Sequence, residues 1–515
     1  MTLVSNVHFE KNLKLEGRKV GLVIPPSPFL LDERVFVSLG ILRVAASLER
    51  QGVIVGVVDL SGISNYTDAL ETYIKNNDVE WIGITCTTPQ LPASVKLAKL
   101  IRQVLPTMKI VLGGPHVTLT YSALKVEIKA GIVNGRAAKA AALLETYFDH
   151  LVSGDGEIAV FELFNNNCQQ VIDADDLKSP WFMRNDDYEK TDMPARHLVD
   201  LTTYHYSIEG FPATSLIAQL GCPFNCGFCG GRNSRSLRVI RTRSEYSIVN
   251  EIRWLYENYG YTGFMFYDDE LNVSKTFVNL MNDLYDLQHE LGTEFRLRGF
   301  IKAELFNEIQ AGAMYRAGFR WILSGFESAH PRILQNIDKM ATLADNTQVV
   351  NIAHKYGLKV KALMSVGHPG ETKESILTIK NWLIDMKIDD FDCTVITTYP
   401  GTPYYDLAVP NADEQGVWTY THKKTGDKLH AYDLDHTVTS DYYKGDPNGG
   451  YTSYVFTDAL TSKEIVDLRD EVERDVRLAL NISFNPGSVA LRYEHSMGQG
   501  LPAMIYKESQ LANHI

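Results

Sequence analysis

The 515-residue chain contains no apolar run of bilayer-spanning length, and residues 1–17 mix charges with short apolar pieces, so neither a signal peptide nor a transmembrane helix is expected. Cysteine is scarce. Six in so long a chain do not make the disulfide framework of a small secreted fold. Cys86, Cys168 and Cys393 are scattered, whereas Cys222, Cys226 and Cys229 crowd one short stretch; this reads as a reducing, cytoplasmic setting with one local thiolate site. Positive charge is also short: 50 Lys and Arg against 63 Asp and Glu give a net charge of −13, which disfavours a general phosphate-backbone binder. Internal repeats and low-complexity tracts are lacking too. What remains is 45% hydrophobic and 22% charged, the balance of a soluble globular protein, at a length that calls for two to four domains.

From residue 19 to about 164, short apolar runs at 20–24, 53–58, 81–85, 110–112 and 150–153 alternate with helical patterns. That is the rhythm of a parallel sheet wrapped by helices, and it predicts a doubly wound, flavodoxin-like α/β domain over 1–170. Ligands of such sheets sit beyond the carboxyl ends of the strands, which directs attention to Ser61, Thr85, Thr87, Gly113, Gly114, His116, Gly154, Gly156 and Glu157. Most are small or polar, as a rim approaching a large flat ligand requires. An Asp-rich stretch with Pro180 and Pro194 predicts a linker over 171–205. Strands at 215–219, 264–267, 295–298, 321–324, 360–365 and 393–398 then predict a partial (β/α)6 barrel over 206–408. The remainder, 409–515, reads as a small mixed, largely helical region with one amphipathic helix near 462–480. The Ala-rich stretch 137–146 is expected to be a surface helix, the alternative being a wall of the substrate cavity.

The segment Gly-Cys-Pro-Phe-Asn-Cys-Gly-Phe-Cys-Gly-Gly over 221–231 places three thiols directly after a strand. Zinc would ask for a fourth protein ligand, and no second Cys or His pair at ligand spacing lies nearby. Three thiolates on a Gly-rich loop suit a four-iron cluster with one iron left for another molecule. Buried structural thiols are the bland alternative, and three together on such a turn argue against it.

On the C-x3-C-x2-C spacing of Cys222, Cys226 and Cys229, with the aromatic Phe228 before the last Cys, the chain resembles the radical S-adenosylmethionine superfamily. The resemblance implies a [4Fe-4S] cluster whose open iron chelates S-adenosylmethionine, one electron then releasing a 5′-deoxyadenosyl radical. Other segments match the family in chain order and imply cosubstrate contacts: Asp268, Asp269 and Glu270 after the second strand; Glu327 and Ser328 after the fourth, reaching the ribose or carboxylate; Gly367 after the fifth; Thr398 and Tyr399 after the sixth, near adenine. Arg296, Arg298 and Lys302 are candidates for the cosubstrate carboxylate, with a surface salt bridge as the competing reading. The basic run Arg232, Arg235, Arg238, Arg241 and Arg243 reads first as a solvated loop and second as a site for an anionic substrate or a reductant.

A doubly wound domain ahead of such a barrel resembles the cobalamin-binding, methylase-like branch of that superfamily, and Gly113-Gly-Pro-His116 and Gly154-Asp-Gly-Glu157 are typical of it. The resemblance implies bound cobalamin. Members that supply a lower axial His carry D-x-H-x-x-G, and here Asp59 is followed by Leu60 and Ser61, so cobalamin is expected without a protein His on its lower face; His116 is expected to position backbone or phosphate. The function implied is methylation of an unactivated carbon of a small metabolite or natural-product intermediate, through methylcobalamin and the deoxyadenosyl radical, with an external donor such as flavodoxin or ferredoxin and with neither membrane nor nucleic acid as partner. No side chain is assigned a catalytic role. Tyr442, Tyr443, Tyr451 and Tyr454 with Asp441 and Asp446 are candidates to close over substrate, or else pack a domain seam. The rivals are a cyclase, ring contraction, deoxygenation or rearrangement without methyl transfer, and a non-catalytic sensor.

Overall fold

The computed structural model describes residues 15–30, 32–443 and 451–482. Its chain divides into two compact units. One comprises the described residues up to Ser27 with Ser38–Thr202 and Asn233–Leu237; the other comprises Pro28–Val37, Thr203–Arg232 and the chain from Arg238 on. No helix among the described residues is long and apolar enough to cross a membrane.

In the first unit, β1 (Lys19–Ile24), β2 (Ile54–Asp59), β3 (Trp81–Thr85), β4 (Lys109–Gly113), β5 (His150–Gly154) and β6 (Val171–Ala174) form one sheet in the order β2-β1-β3-β4-β5-β6, every pair parallel. Beyond its first residue β1 is buried throughout, the continuous apolar run of a strand covered on both faces. The order reverses between β1 and β3, as in a flavodoxin-like sheet. The strand β6 opens the stretch expected to be linker, because pairing with β5 outweighs its brevity and its Asp173. The Ala-rich segment is a helix, Arg136–Tyr147, that buries Ala137, Ala141 and Leu144; the carboxylate of Glu127 accepts from the N–H groups of Ala137 and Ala138, each at 2.9 Å, at its start.

The second unit begins with a two-residue strand β7 (Ser207–Ile208) that pairs antiparallel with β8 (Phe211–Leu216). Two short strands, β9 (Gln219–Leu220) and β10 (Arg241–Thr242), pair with each other. The barrel continues through β11 (Gly263–Phe266), β12 (Arg296–Phe300), β13 (Phe319–Glu327), β14 (Lys359–Val366) and β15 (Asp390–Val395), in the sheet order β15-β14-β13-β12-β11-β8-β7. Six parallel strands thus make the partial (β/α)6 barrel. Helices Glu245–Tyr259, Phe277–Leu291, Glu308–Ala317, Leu343–Lys355 and Lys373–Asp385 intervene, and their apolar faces join the strands in one core.

The C-terminal region forms a four-stranded sheet of β16 (Val409–Pro410), β17 (Val417–Thr421), β18 (Lys428–Tyr432) and β19 (Val455–Phe456), antiparallel throughout, followed by the helix Ser462–Leu480. It does not separate from the barrel. The Glu473 carboxylate accepts the Cys393 N–H at 2.9 Å, Arg469 donates to the Cys393 carbonyl at 2.7 Å, and Arg477 donates to the Phe391 carbonyl at 2.8 Å. Side chains of one helix thereby satisfy the outer edge of β15, an edge that would otherwise invite pairing with another chain.

Glycine geometry fixes the rim of the first sheet. Gly154 has φ +97°, and a Cβ there would lie 2.5 Å from the Ala174 carbonyl carbon, whereas Gly131, at φ +71°, faces open space. Gly131→Ala is expected to cost about 1 kcal/mol for the left-handed backbone alone, and Gly154→Ala about 3 kcal/mol or more because β6 must also move. Urea unfolding of the two variants checks the difference.

Candidate functional site

The three-thiol loop is the excursion between β9 and β10. Gly221 starts it at φ +89°, where a Cβ would meet the Val239 carbonyl oxygen at 2.3 Å. Asp268, buried at the end of β11, accepts the Ala218 N–H at 3.1 Å and the Gln219 N–H at 2.5 Å. Burial outweighs those donors and pushes its carboxyl up to about 7. Asp269 accepts from the Gly221 N–H at 3.1 Å, and the Glu270 carbonyl accepts from the Gln219 amide at 2.8 Å. The acids after the second barrel strand therefore hold the base of the thiol loop. Arg238 closes it from the other side, donating to the carbonyls of Phe224 at 2.7 Å and Pro223 at 2.5 Å. The Gly227 N–H donates to the Ile337 carbonyl at 2.7 Å, and the Phe228 ring lies edge-on to His368 with centroids 5.5 Å apart.

All three thiols are free. Burial raises the Cys222 thiol to about 12 and the Cys229 thiol to about 11, and neighbouring Cys thiols push each of them further. Burial also raises Cys226, against the opposing pull of Lys339 and Lys302. Cys229, Tyr267 and Asp269 are nonetheless open to solvent, although desolvation by the surrounding protein dominates the shift of each. Accessible atoms set that deep in protein line a hollow. Among the described residues no three Cys, His, Asp or Glu side chains converge as ligands of a single metal ion would. A four-iron cube carries each thiolate on a separate iron, so spaced thiols facing a hollow fit that group.

Around the hollow the carboxyl ends of the strands contribute charge in pairs. Lys302 is buried, 3.1 Å from Glu304 and 4.5 Å above the Phe224 ring. Lys339 lies 3.6 Å from Glu327, and Glu327 accepts from the Ser365 hydroxyl at 2.7 Å. Burial pushes Glu270 up to about 7 against the opposing charges of Lys339 and Lys302. Ser328 accepts the His330 N–H at 3.1 Å. Gly367, at φ +91°, donates its N–H to Glu371 at 3.0 Å. Thr398 is buried, and the Tyr399 hydroxyl, raised chiefly by burial, lies within electrostatic range of Cys229 and Tyr443. Arg298 is directed elsewhere, above Trp321 at 5.5 Å and in contact with Tyr206; Arg296 sits over Phe211 and beside Glu209.

Lys339 is the charged residue of the hollow that sequence reasoning missed, since it follows a short helix with no motif to mark it. The basic run is mostly structural: Arg238 staples the loop, Arg241 is buried and Arg243 is ion-paired with buried Glu251 at 2.5 Å. Of the C-terminal candidates, Tyr443 packs edge-on to Phe29 at 5.3 Å, Tyr454 donates to Asp441 at 3.0 Å, the Tyr451 hydroxyl accepts the Val395 N–H at 3.2 Å, and Tyr442 is buried. Asp446 lies outside the described residues.

In the first unit the rim residues lie at the carboxyl ends of β2 to β5. Ser61 is buried and its N–H bonds Asp59 at 3.1 Å. Thr85 is half-buried and Thr87 exposed. A Cβ on Gly114 would sit 2.8 Å from the Cys86 nitrogen, so the Gly113-Gly114 turn lies against backbone. Gly154 donates to the Thr118 hydroxyl at 2.8 Å, Gly156 packs against Val44, and Glu157 is buried. His116 is buried, with Nδ1 3.1 Å from the Thr88 hydroxyl and Nε2 3.5 Å from that of Thr120. Small residues thus floor the rim, as a flat ligand needs, while the imidazole is engaged inside its own domain.

Residues 216–383 match the model of the Radical SAM superfamily, and residues 33–145 match that of the B12 binding domain. A protein of Pyrococcus horikoshii described as an uncharacterized methyltransferase is 27% identical over 409 residues, 76% of this chain and 83% of that one. An anaerobic magnesium-protoporphyrin IX monomethyl ester cyclase of Cereibacter sphaeroides is 22% identical over 383 residues, 68% of this chain and 58% of its own length. Among solved structures, the radical S-adenosylmethionine methyltransferase TsrM of Kitasatospora setae, with cobalamin and a [4Fe-4S] cluster bound, superposes with TM-score 0.60 at 18% identity, covering 79% of this chain and 81% of that one.

The Arg238 staple gives a direct test of the loop. Arg238→Ala is expected to halve, at least, the iron retained after anaerobic reconstitution, while Arg235→Ala, at an exposed position in the same run, leaves it unchanged. Iron and sulfide assays on the two variants decide it.

Proposed function

We propose that this chain, a radical SAM enzyme with a B12 binding domain, methylates an unactivated carbon of a small metabolite or natural-product intermediate. The observation that carries the proposal is the open three-thiol loop, aimed into a charged hollow, in a chain that also bears a doubly wound domain with a small-residue rim. Cys222, Cys226 and Cys229 would hold a [4Fe-4S] cluster. When bound, the cluster supplies the electron that cleaves the sulfonium bond, and the corrinoid supplies the methyl group.

The chain's own residues divide the binding work. Asp268 holds the base of the loop through two backbone N–H groups and Asp269 through one; Glu270, with the second carboxylate oxygen of Asp269, would meet the cosubstrate ammonium. Lys302 and Lys339 would meet its carboxylate, and both sit close enough to Cys226 to offset negative charge at the loop. Glu327 would accept the ribose hydroxyls, with Thr398 and Tyr399 beside the adenine. Phe228 packs against Ile333, Leu334 and Ile337 and would hold its part of the loop against the apolar side of the short helix. Cobalamin would lie on the rim of Ser61, Thr85, Thr87, Gly113, Gly114, Gly154, Gly156 and Glu157 with no protein imidazole below it, since Ser61 stands at the expected ligand position and His116 faces inward. A flavodoxin- or ferredoxin-type protein would deliver the electron.

A cyclase among the relatives keeps methyl-free radical chemistry as the second reading, and product counting separates the two. Anaerobic turnover is expected to form one S-adenosylhomocysteine and one 5′-deoxyadenosine per methylated product; deoxyadenosine alone would reject methyl transfer. Ala at any one of the three thiol positions is expected to reduce deoxyadenosine formation by at least 10³-fold, or about 4 kcal/mol. Protein purified without oxygen from cobalamin-fed cells should show a corrinoid absorption band beside the iron-sulfur shoulder.

A further inference from the structure

Glu327 is held by three separate devices. It ends β13 at φ +63°, where the register with β14 shifts between Gly325 and Glu327. Its Oε1 occupies a notch over Gly325: a Cβ there would lie 2.4 Å from that oxygen. Its Oε2 receives the end of a hydrogen-bond chain, with Ser365 Oγ at 2.7 Å from Oε2, His368 Nε2 at 2.8 Å from Ser365 Oγ, and the Tyr404 hydroxyl at 3.4 Å from His368 Nδ1. Ser365, His368 and Tyr404 are all buried.

The donor directions follow from chemistry. A carboxylate only accepts, so the single Ser365 proton goes to Glu327. His368 then donates its Nε2 proton to Ser365 Oγ, and Nδ1 is left to accept from Tyr404. The imidazole stays neutral: burial, and after it the charge of Lys339, pushes its pKa down to about 3. Every proton in the chain therefore points toward Oε2, and such chains strengthen cooperatively away from water. With Oε2 so satisfied, Oε1 has Lys339 Nζ at 3.6 Å, beyond hydrogen-bond length.

We propose that His368 is a positioning residue which, through Ser365, holds the Glu327 carboxylate turned to accept the vicinal ribose hydroxyls of the adenosyl cosubstrate. This rests on the reading of Glu327 as the ribose contact. The test uses full-length, iron-reconstituted protein and equilibrium binding of two probes, S-adenosylhomocysteine and its 2′,3′-dideoxyribose analogue, with no turnover involved. The unaltered protein should prefer the ribose form at least tenfold. His368→Phe should reduce that preference below threefold while leaving the affinity for the dideoxy probe and the iron content unchanged. Ser365→Ala should do the same, and the double variant should lose nothing further, as expected of residues acting in series. His368→Gln, whose amide donates on one side and accepts on the other, should restore most of the preference. Where His368→Phe fails to fold, Ser365→Ala carries the test, since it removes one oxygen.

Absence of any preference in the unaltered protein would overturn the ribose reading and this inference together. A preference that survives His368→Phe would overturn the inference alone. Equal weakening of both probes, or additive effects of the two substitutions, would mean that His368 serves packing and would likewise reject it.

Discussion

The site depends on one constraint: a loop carrying three thiols must stand open toward the interior of the barrel without collapsing onto itself. Here the loop is pinned at its base by the two-residue ladder of β9 and β10 and by Asp268, whose carboxylate accepts two consecutive N–H groups. Those groups cannot continue the sheet, because the chain leaves β8 for the loop at that point. An unsatisfied buried N–H costs about 1–3 kcal/mol, so a desolvated acid at the end of the neighbouring strand is the cheaper solution even though burial raises its carboxyl to about 7.

The same economy explains why the barrel stops at six parallel strands. A half-barrel leaves β15 with a free edge, and the C-terminal helix supplies side-chain donors and acceptors to it in place of a seventh strand. Those side chains are charged, and they are buried only as a network: Arg469 and Arg477 share Glu473, while Lys361 bridges Asp390 at 2.7 Å and Asp392 at 2.8 Å. Removing one member would strand the others, which is the usual cost of buried ion pairs. The sheet edge and the helix are therefore one electrostatic construction, and the C-terminal helix cannot be treated as a separable lid.

Much of this was legible from residue order, and the exceptions have physical causes. Strand β3 coincides with the predicted 81–85, and the helix Ser462–Leu480 with the predicted 462–480, because long continuous or periodic apolar patterns leave little choice. Strand β6 hid in an Asp-rich stretch, since four residues completing a sheet draw their stability from the neighbour and not from their own composition. The antiparallel sheet of β16 to β19 was not expected in a region read as mixed and largely helical, because its strands span two to five residues and expose Thr421, Lys428 and Tyr432. In the site, the three thiols announce themselves by spacing. Lys339 does not: it reaches the hollow from the turn after a six-residue helix, where Asp338 takes φ +52°, and nothing in the order of residues marks that turn. The acids after β11 were legible as a group, while their division into Asp268 and Asp269, which accept backbone N–H groups of the loop, and Glu270, which is opposed by Lys339 and Lys302, is a matter of which strand end lies beside which N–H.

That division bears on how the hollow works. Asp268 and Glu270 are two residues apart on the same strand end, and burial lifts both to about 7, yet their partners differ in kind. Asp268 is met by backbone N–H groups that cannot move without unmaking the loop, whereas Glu270 is opposed by Lys302 and Lys339, whose long side chains can reorient. On the proposed reading, a cosubstrate bearing both an ammonium and a carboxylate would enter such an array by exchanging partners with it, the ammonium taking the acid and the carboxylate taking the lysines, so that the buried charge would remain balanced before and after binding. A hollow lined with unpaired acids alone would have to neutralise itself by protonation, and one lined with lysines alone would oppose the ammonium. Paired but exchangeable charge around a rigidly held loop would satisfy both requirements, and Glu327, fixed by its backbone, its notch and its hydrogen-bond chain, stands with Asp268 outside that exchange.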